Sequence, residues 1–192
     1  MINLLTFVSP EVSGFPPFLD PFLEVHNLML VQSAFNLGED DNGEYTELRK
    51  EAFMQLQSIG DASPSLFFEM IEAEMHRKKD LKGFLFDNLS YEPSFFEGLD
   101  KMLSKNQTNI SLVNLVEINF ADVVESLIAE SNGQFTVETP LIQRTIKRYE
   151  KRKEQMRKIG EYYNQKGVPF LQFNTSIHSN EEIFKQIESV LL

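Results

Sequence analysis

Apolar residues follow two rhythms along this chain. Short β-prone runs occupy 2–8, 84–87, 111–118 and 168–173. Between them, apolar residues recur three and four positions apart, the spacing that lines one face of a helix. Leu48, Ala52, Phe53 and Leu56 predict a helix over 46–57. Leu66, Phe67, Met70, Ile71 and Met75 predict the next, with Ser63 or Ser65 as its N-cap. Pro93 suits the first turn of a third helix, which closes at Leu99-Asp100. Phe120, Val123, Val124, Leu127 and Ile128 share a face over 121–129. A long helix is predicted over 140–165, with Ile142, Ile146, Tyr149, Met156 and Ile159 on one side and Gly167 as C-cap. The last helix, 181–192, carries Ile183, Phe184, Ile187, Val190 and Leu191. Periodicity leaves 28–31 open between a short strand and a buried helical segment.

Punctuation between these elements is polar. Residues 38–44 form a turn, and Asn132-Gly133 marks another within the loop 131–139. The stretch 9–21 holds Pro10, Pro16, Pro17, Pro21 and Gly14. No helix is expected to start cleanly there, because an interior proline removes a donor and clashes with the preceding turn. Strands alternate with helices throughout, which argues for a parallel sheet covered on both faces. The expected fold is α/β, a three-layer α/β/α domain around a five-stranded parallel sheet. With no repeat, low-complexity tract or linker, 1–192 reads as a single domain.

Hydrophobic residues make up 42% of the 192, and 17 residues are Phe, enough for a packed core without staples. The lack of cysteine excludes disulfides, thiolate catalysis and Cys-based metal sites. MINLLTFVSP shows no basic leader, and no apolar run approaches a membrane span, so a cytoplasmic protein without a membrane partner is expected. A net charge of −11 repels phosphate backbones, so no nucleic-acid partner is expected either. The charge is uneven. Glu39, Asp40, Asp41, Glu44 and Glu47 form an acidic stretch; Arg144, Lys147, Arg148, Lys151, Arg152, Lys153, Arg157 and Lys158 form a basic one. Both read first as solvated faces and loops. His26, His76 and His178 are scattered without ligand spacing, and no metal site is expected.

Residues 83–100, GFLFDNLSYEPSFFEGLD, carry the most specific pattern: a buried strand ending in Asp87, a turn, then a helix. The stretch resembles the segment of adenylate kinases and related nucleoside monophosphate kinases that runs G-F-[IL]-L-D-G-F-P-R, then Gln, then A-L-D. Weaker matches fall in the same order: Thr46-Glu47-Leu48 with Ala52, residues 115–127, and Tyr162-Tyr163 with Gly167 and 170–173. The resemblance implies a P-loop NTPase (adenylate kinase-like) topology, with acceptor-site helices at about 32–80 and a short lid at about 130–140.

The chemistry of that family is phosphoryl transfer, which is mostly positioning and charge neutralisation. Its loop, G-x-P-G-x-G-K-G-T, should follow the first strand. Here the vestigial counterpart contains Ser9, Pro10, Glu11, Ser13 and Gly14, and only Pro10 fits. Gly14 stands at the Lys position, Phe15 and Pro16 follow it, and no Lys or Arg occurs before Arg49. Asn88, Leu89, Ser90 and Tyr91 replace G-F-P-R, and Phe95 replaces the base-reading Gln. Tyr91 and Phe95 could stack on a substrate base, or simply pack. Ser126 and Glu130 occupy lid positions where the family has Arg.

Asp87 is retained; in the family it helps organise the metal's water shell, and here it could equally cap a turn. Arg144 and Arg148 share a helical face. They could face an anion, or lie on a solvated face paired with Glu150 and Glu154. The reading is a catalytically degenerate adenylate kinase-like protein without a cofactor, acting as a regulatory, scaffold or partner-binding module with an unknown protein partner. Residues 15–22 would be its contact surface, or a plug in the vacated site. The alternative is an active or weakly active nucleoside monophosphate kinase using ATP and Mg²⁺ with Asp87, Arg144 and Arg148 as catalytic residues, or a nucleotide-sensing protein.

Overall fold

The computed structural model describes residues 1–9, 20–32, 37, 46–59, 62–78, 80–87, 89–90, 92–117 and 119–191. The elements run β1 (Ile2–Ser9), α1 (Asp20–His26), β2 (Leu28–Val31), α2 (Glu47–Ile59), α3 (Pro64–Arg77), β3 (Gly83–Asp87), α4 (Pro93–Lys105), β4 (Leu112–Glu117), α5 (Phe120–Glu130), α6 (Pro140–Gln165), β5 (Phe170–Asn174) and α7 (Asn180–Leu191). The five strands form one all-parallel sheet in the order β2-β3-β1-β4-β5. The chain divides into two compact units, Met1–Leu5 with Phe18–Ser111, and Thr6–Pro17 with Leu112–Leu192.

In the first unit, α1 forms where the prolines argued against a helix start. Pro21 is its second residue, inside the first turn, where the missing N–H has no intrahelical partner to lose. Asn27 follows in the left-handed region (φ 49°), and its Nδ2 donates to the Asp80 carbonyl at 2.8 Å. That reversal feeds residues 28–31 into β2, so the ambiguous run is a strand. It pairs parallel with β3 from Leu28↔Gly83 to Val31↔Phe86.

All five residues of β3 are buried. Successive strand residues point to opposite faces, so both faces of this strand are covered. Gly83 is required by crowding: a Cβ there would stand 1.6 Å from the Ile2 carbonyl oxygen. Ser63, not Ser65, caps α3, its Oγ accepting the Leu66 N–H at 3.4 Å. The buried face of α3 is Leu66, Phe67, Met70, Ile71 and Glu74. Glu74, rather than Met75, completes that face because Arg77 Nη2, 2.7 Å from its carboxylate, offsets the buried charge.

In the second unit, β4 and β5 pair parallel from Val113↔Phe170 to Glu117↔Asn174. Leu112 to Val116 are all buried. Helix α6 crosses this pair where Gly160 meets Phe170; a Cβ on Gly160 would lie 2.7 Å from that ring. Asn132 (φ 51°) and Gly133 (φ 80°) make the turn their sequence announces. At the far end of α6, Gly167 (φ 77°) donates to the Asn164 carbonyl and Val168 to the Tyr163 carbonyl, both at 3.0 Å. These two bonds define a Schellman C-terminus.

Candidate functional site

Ligands of open parallel sheets bind beyond the carboxyl ends of the strands. Two sets of expected residues lie at such ends or on the helices beside them. The first is Asp87, the last residue of β3, which is only 4% exposed. Its neighbour across the strand pair is set by register. Val31 pairs with Phe86, so the residue after Val31 arrives beside Asp87. That residue is Gln32, and its Nε2 donates to Asp87 Oδ2 at 3.0 Å. The carboxylate is thus buried, hydrogen-bonded and held at the strand end. Such a group can accept further donors or hold a hydrated cation.

Ser9 closes β1. Pro10, Glu11, Ser13 and Gly14 of the expected loop, and Tyr91, lie outside the described residues, as does the 15–22 segment apart from Asp20, Pro21 and Phe22. Of these three, Phe22 is fully buried, and its ring centroid lies 4.3 Å from that of His26. Phe95 sits in the first turn of α4, half-buried. Its ring centroid is 5.8 Å from Phe67, 5.2 Å from Phe68 and 5.5 Å from Phe96, an aromatic cluster that joins α3 to α4.

The second set lies on α6. Arg144 and Arg148 are both exposed. The expected pairing with Glu154 does not occur, because that carboxylate is committed further along the helix. Arg157 donates to it twice, Nε to Oε2 at 2.9 Å and Nη2 to Oε1 at 2.8 Å, and Lys158 lies 3.5 Å away. The Arg157 hydrogen bonds hold the Glu154 carboxyl down at about 2. Arg157 also pairs with Glu161. Lys153 reaches Glu117 at the end of β4 at 2.7 Å, and this pairing raises its pKa above the usual lysine range against the cost of burial. Beside this pair lies a cavity of about 340 Å³, lined by the apolar Leu115 and Phe170 and by the charged Glu150, Lys153, Glu154 and Arg157. Its two acidic and two basic lining residues largely neutralise one another.

Asp87 belongs to the first unit, and Arg144 and Arg148 to the second. The three histidines have structural partners: His26 with Phe22, His76 Nδ1 with the Glu72 carbonyl at 2.7 Å, and His178 Nδ1 with Asn174. Among the described residues no group of three or more His, Cys, Asp or Glu could hold a metal ion, and no helix is long and apolar enough to cross a membrane. Two contributors escape sequence reasoning. Gln32 lies 55 positions from its partner Asp87, and Lys153 is one cation among eight in its stretch. Only strand register identifies the first, and only the helix–sheet contact identifies the second.

No protein-family model matches this chain, and no curated protein matches it.

Proposed function

We propose that this protein is a catalytically degenerate member of the adenylate kinase-like P-loop fold, a three-layer α/β/α domain that acts as a regulatory, scaffold or partner-binding module. The observation that carries this reading is the treatment of Asp87. A carboxylate at the end of a sheet strand, where the resembling kinases organise a metal's water shell, is here buried and accepts the side-chain amide of Gln32. The sequence following β1 adds to it. Between Ser9 and Arg49 there is no Lys or Arg to meet a triphosphate, Glu11 adds an opposing charge, and Pro16 and Pro17 remove amide donors.

One observation favours the rival reading of nucleotide binding: Arg144 and Arg148 are exposed on one face of α6 with no ion pair among the described residues. Thermal shifts of the whole chain with ATP, ADP and AMP, with and without Mg²⁺, separate the two. No concentration-dependent shift is expected. A shift that grows with nucleotide would overturn the degenerate reading, and a coupled assay for ADP formation would then tell a sensor from an enzyme.

A further inference from the structure

Along α6 the cations are treated in two ways. In its second half, Lys153 pairs with Glu117, Arg157 with Glu154 and Glu161, and Lys158 with Glu154. In its first half, Arg144, Lys147, Arg148 and Lys151 are all exposed, and none of the four makes an ion pair among the described residues. Their spacing of three and four places them on one face. That face lies away from the buried one, which carries Ile142, Met156, Ile159 and Tyr163. The first turn of α6 has no acidic residue, so the positive end of the helix dipole adds to the same field. All this occurs in a chain of net charge −11. The same helix thus neutralises one set of cations and leaves the other set open.

We propose that this stripe docks an acidic peptide segment of a protein partner. The four cations span about 10 Å of helix, the reach of about three or four residues of extended chain. Leu141, 52% exposed, lies on the same face one turn before Arg144 and offers the segment one apolar contact. A charged stripe of this kind speeds and orients encounter with an oppositely charged surface.

The alternatives fit less well. A nucleic-acid backbone extends well past a Debye length of about 8 Å and would meet the acidic remainder of the chain. A membrane surface held by four cations alone, with no free apolar helix face to bury, is bound only weakly, and the apolar face of α6 is already buried. A nucleotide's phosphates would engage convergent donors, whereas these four are strung along the helix.

The test is a fluorescence-anisotropy titration of the full chain against labelled hexaglutamate, at low salt and at about 0.15 M salt. The variants are Arg144→Glu/Arg148→Glu and Lys147→Glu/Lys151→Glu. Lys82→Glu/Lys101→Glu, two exposed lysines elsewhere, matches the charge change. Circular dichroism checks that each variant is folded. Each stripe variant is expected to weaken peptide binding at least about tenfold, and the control to change it less than about twofold. Absence of peptide binding, or equal loss in the control, would overturn the proposal. So would tighter, stripe-dependent binding to a short DNA duplex or to phosphatidylcholine vesicles containing one quarter phosphatidylserine. An ATP-induced thermal shift would overturn the proposed function and leave this result standing.

Discussion

Gln32 Nε2 and Asp87 Oδ2 lie 3.0 Å apart across the ends of two paired strands, β2 and β3. The contact matters because Asp87 is almost wholly buried. A buried carboxylate is tolerated in proportion to the donors that face it. Gln32→Ala is therefore expected to cost about 1.5–3 kcal/mol in urea unfolding, the range for hydrogen bonds to charged groups. Gln32→Glu is expected to cost more at neutral pH, since it sets two carboxylates against each other. Repulsion raises the pKa of one of them in the folded state, so this penalty shrinks as pH falls towards the carboxyl range. A Gln32→Glu penalty that stays flat with pH would mean the two side chains do not face each other in solution.

Helices α4 and α6 end in the same motif with different residues at its critical position. After α6, Gly167 takes the left-handed conformation. After α4, Gln107 does so at φ 57°, with Gln107 N–H donating to Ser104 and Thr108 N–H to Leu103, both at 3.0 Å. A side chain in this region costs about 1–2 kcal/mol, which glycine avoids. Gln107→Gly is expected to stabilise the protein by up to about 1 kcal/mol, and Gly167→Ala to destabilise it by about the same amount. Paired thermal melts check both signs at once. If Gln107→Gly lowers stability, the two termini are not equivalent.

Asn114 is a polar residue within the buried run of β4. It is 1% exposed in β4, and neither atom of its amide has a hydrogen-bond partner among the described residues. A buried polar group left without partners costs about 1–3 kcal/mol. Asn114→Leu, which keeps the branching and the number of heavy atoms, removes that cost and adds apolar burial. It is expected to raise the denaturation midpoint by an amount worth at least about 1 kcal/mol. A large loss instead would mean that the amide holds a partner of its own or that the bulkier side chain strains the strand; crystal structures of the wild type and the variant tell the two apart.

Much of this architecture is legible locally. The alternation of runs gives the α/β class; Pro93, Pro140, Asn132-Gly133 and Gly167 punctuate elements where their backbone chemistry predicts. Ser179 and Glu182 spell a capping box. Ser179 N–H donates to Glu182 Oε2 at 2.7 Å, and these hydrogen bonds lower the Glu182 pKa. The features that escape local reading depend on strand order and helix docking. Nothing near Gln32 marks it as the partner of Asp87. Nothing near Asn3 marks its side chain as donor to Thr108 and to the Asn109 carbonyl, both at 2.9 Å. Pro21 misleads for the opposite reason: the cost of an interior proline does not arise in a first turn, where its missing N–H has no partner to lose. The strand-end position of Asp87 was legible, because a strand and a charge coincide in sequence. The shared face of Arg144 and Arg148 was legible too, but not which of the eight cations of α6 find partners.

Those partners also set an acid response. The Arg157 hydrogen bonds bring Glu154 from an ordinary 4.5 to about 2. A carboxyl whose folded pKa is depressed contributes stability that is fully present above its unfolded value. That contribution is lost as pH falls towards the folded value. The window here is pH 4.5 down to about 2. Glu154 is exposed, so solvent and salt screen the pair, and the effect on the melting temperature is small. Melts from pH 5 to pH 3 should show wild type falling more steeply than Glu154→Gln, with the two curves drawing together as the acid titrates. Raising the salt to about 1 M should shrink the difference. Parallel curves across that range would mean that Arg157 spends its time elsewhere. The division of α6 into a neutralised half and an open half would then lose its footing.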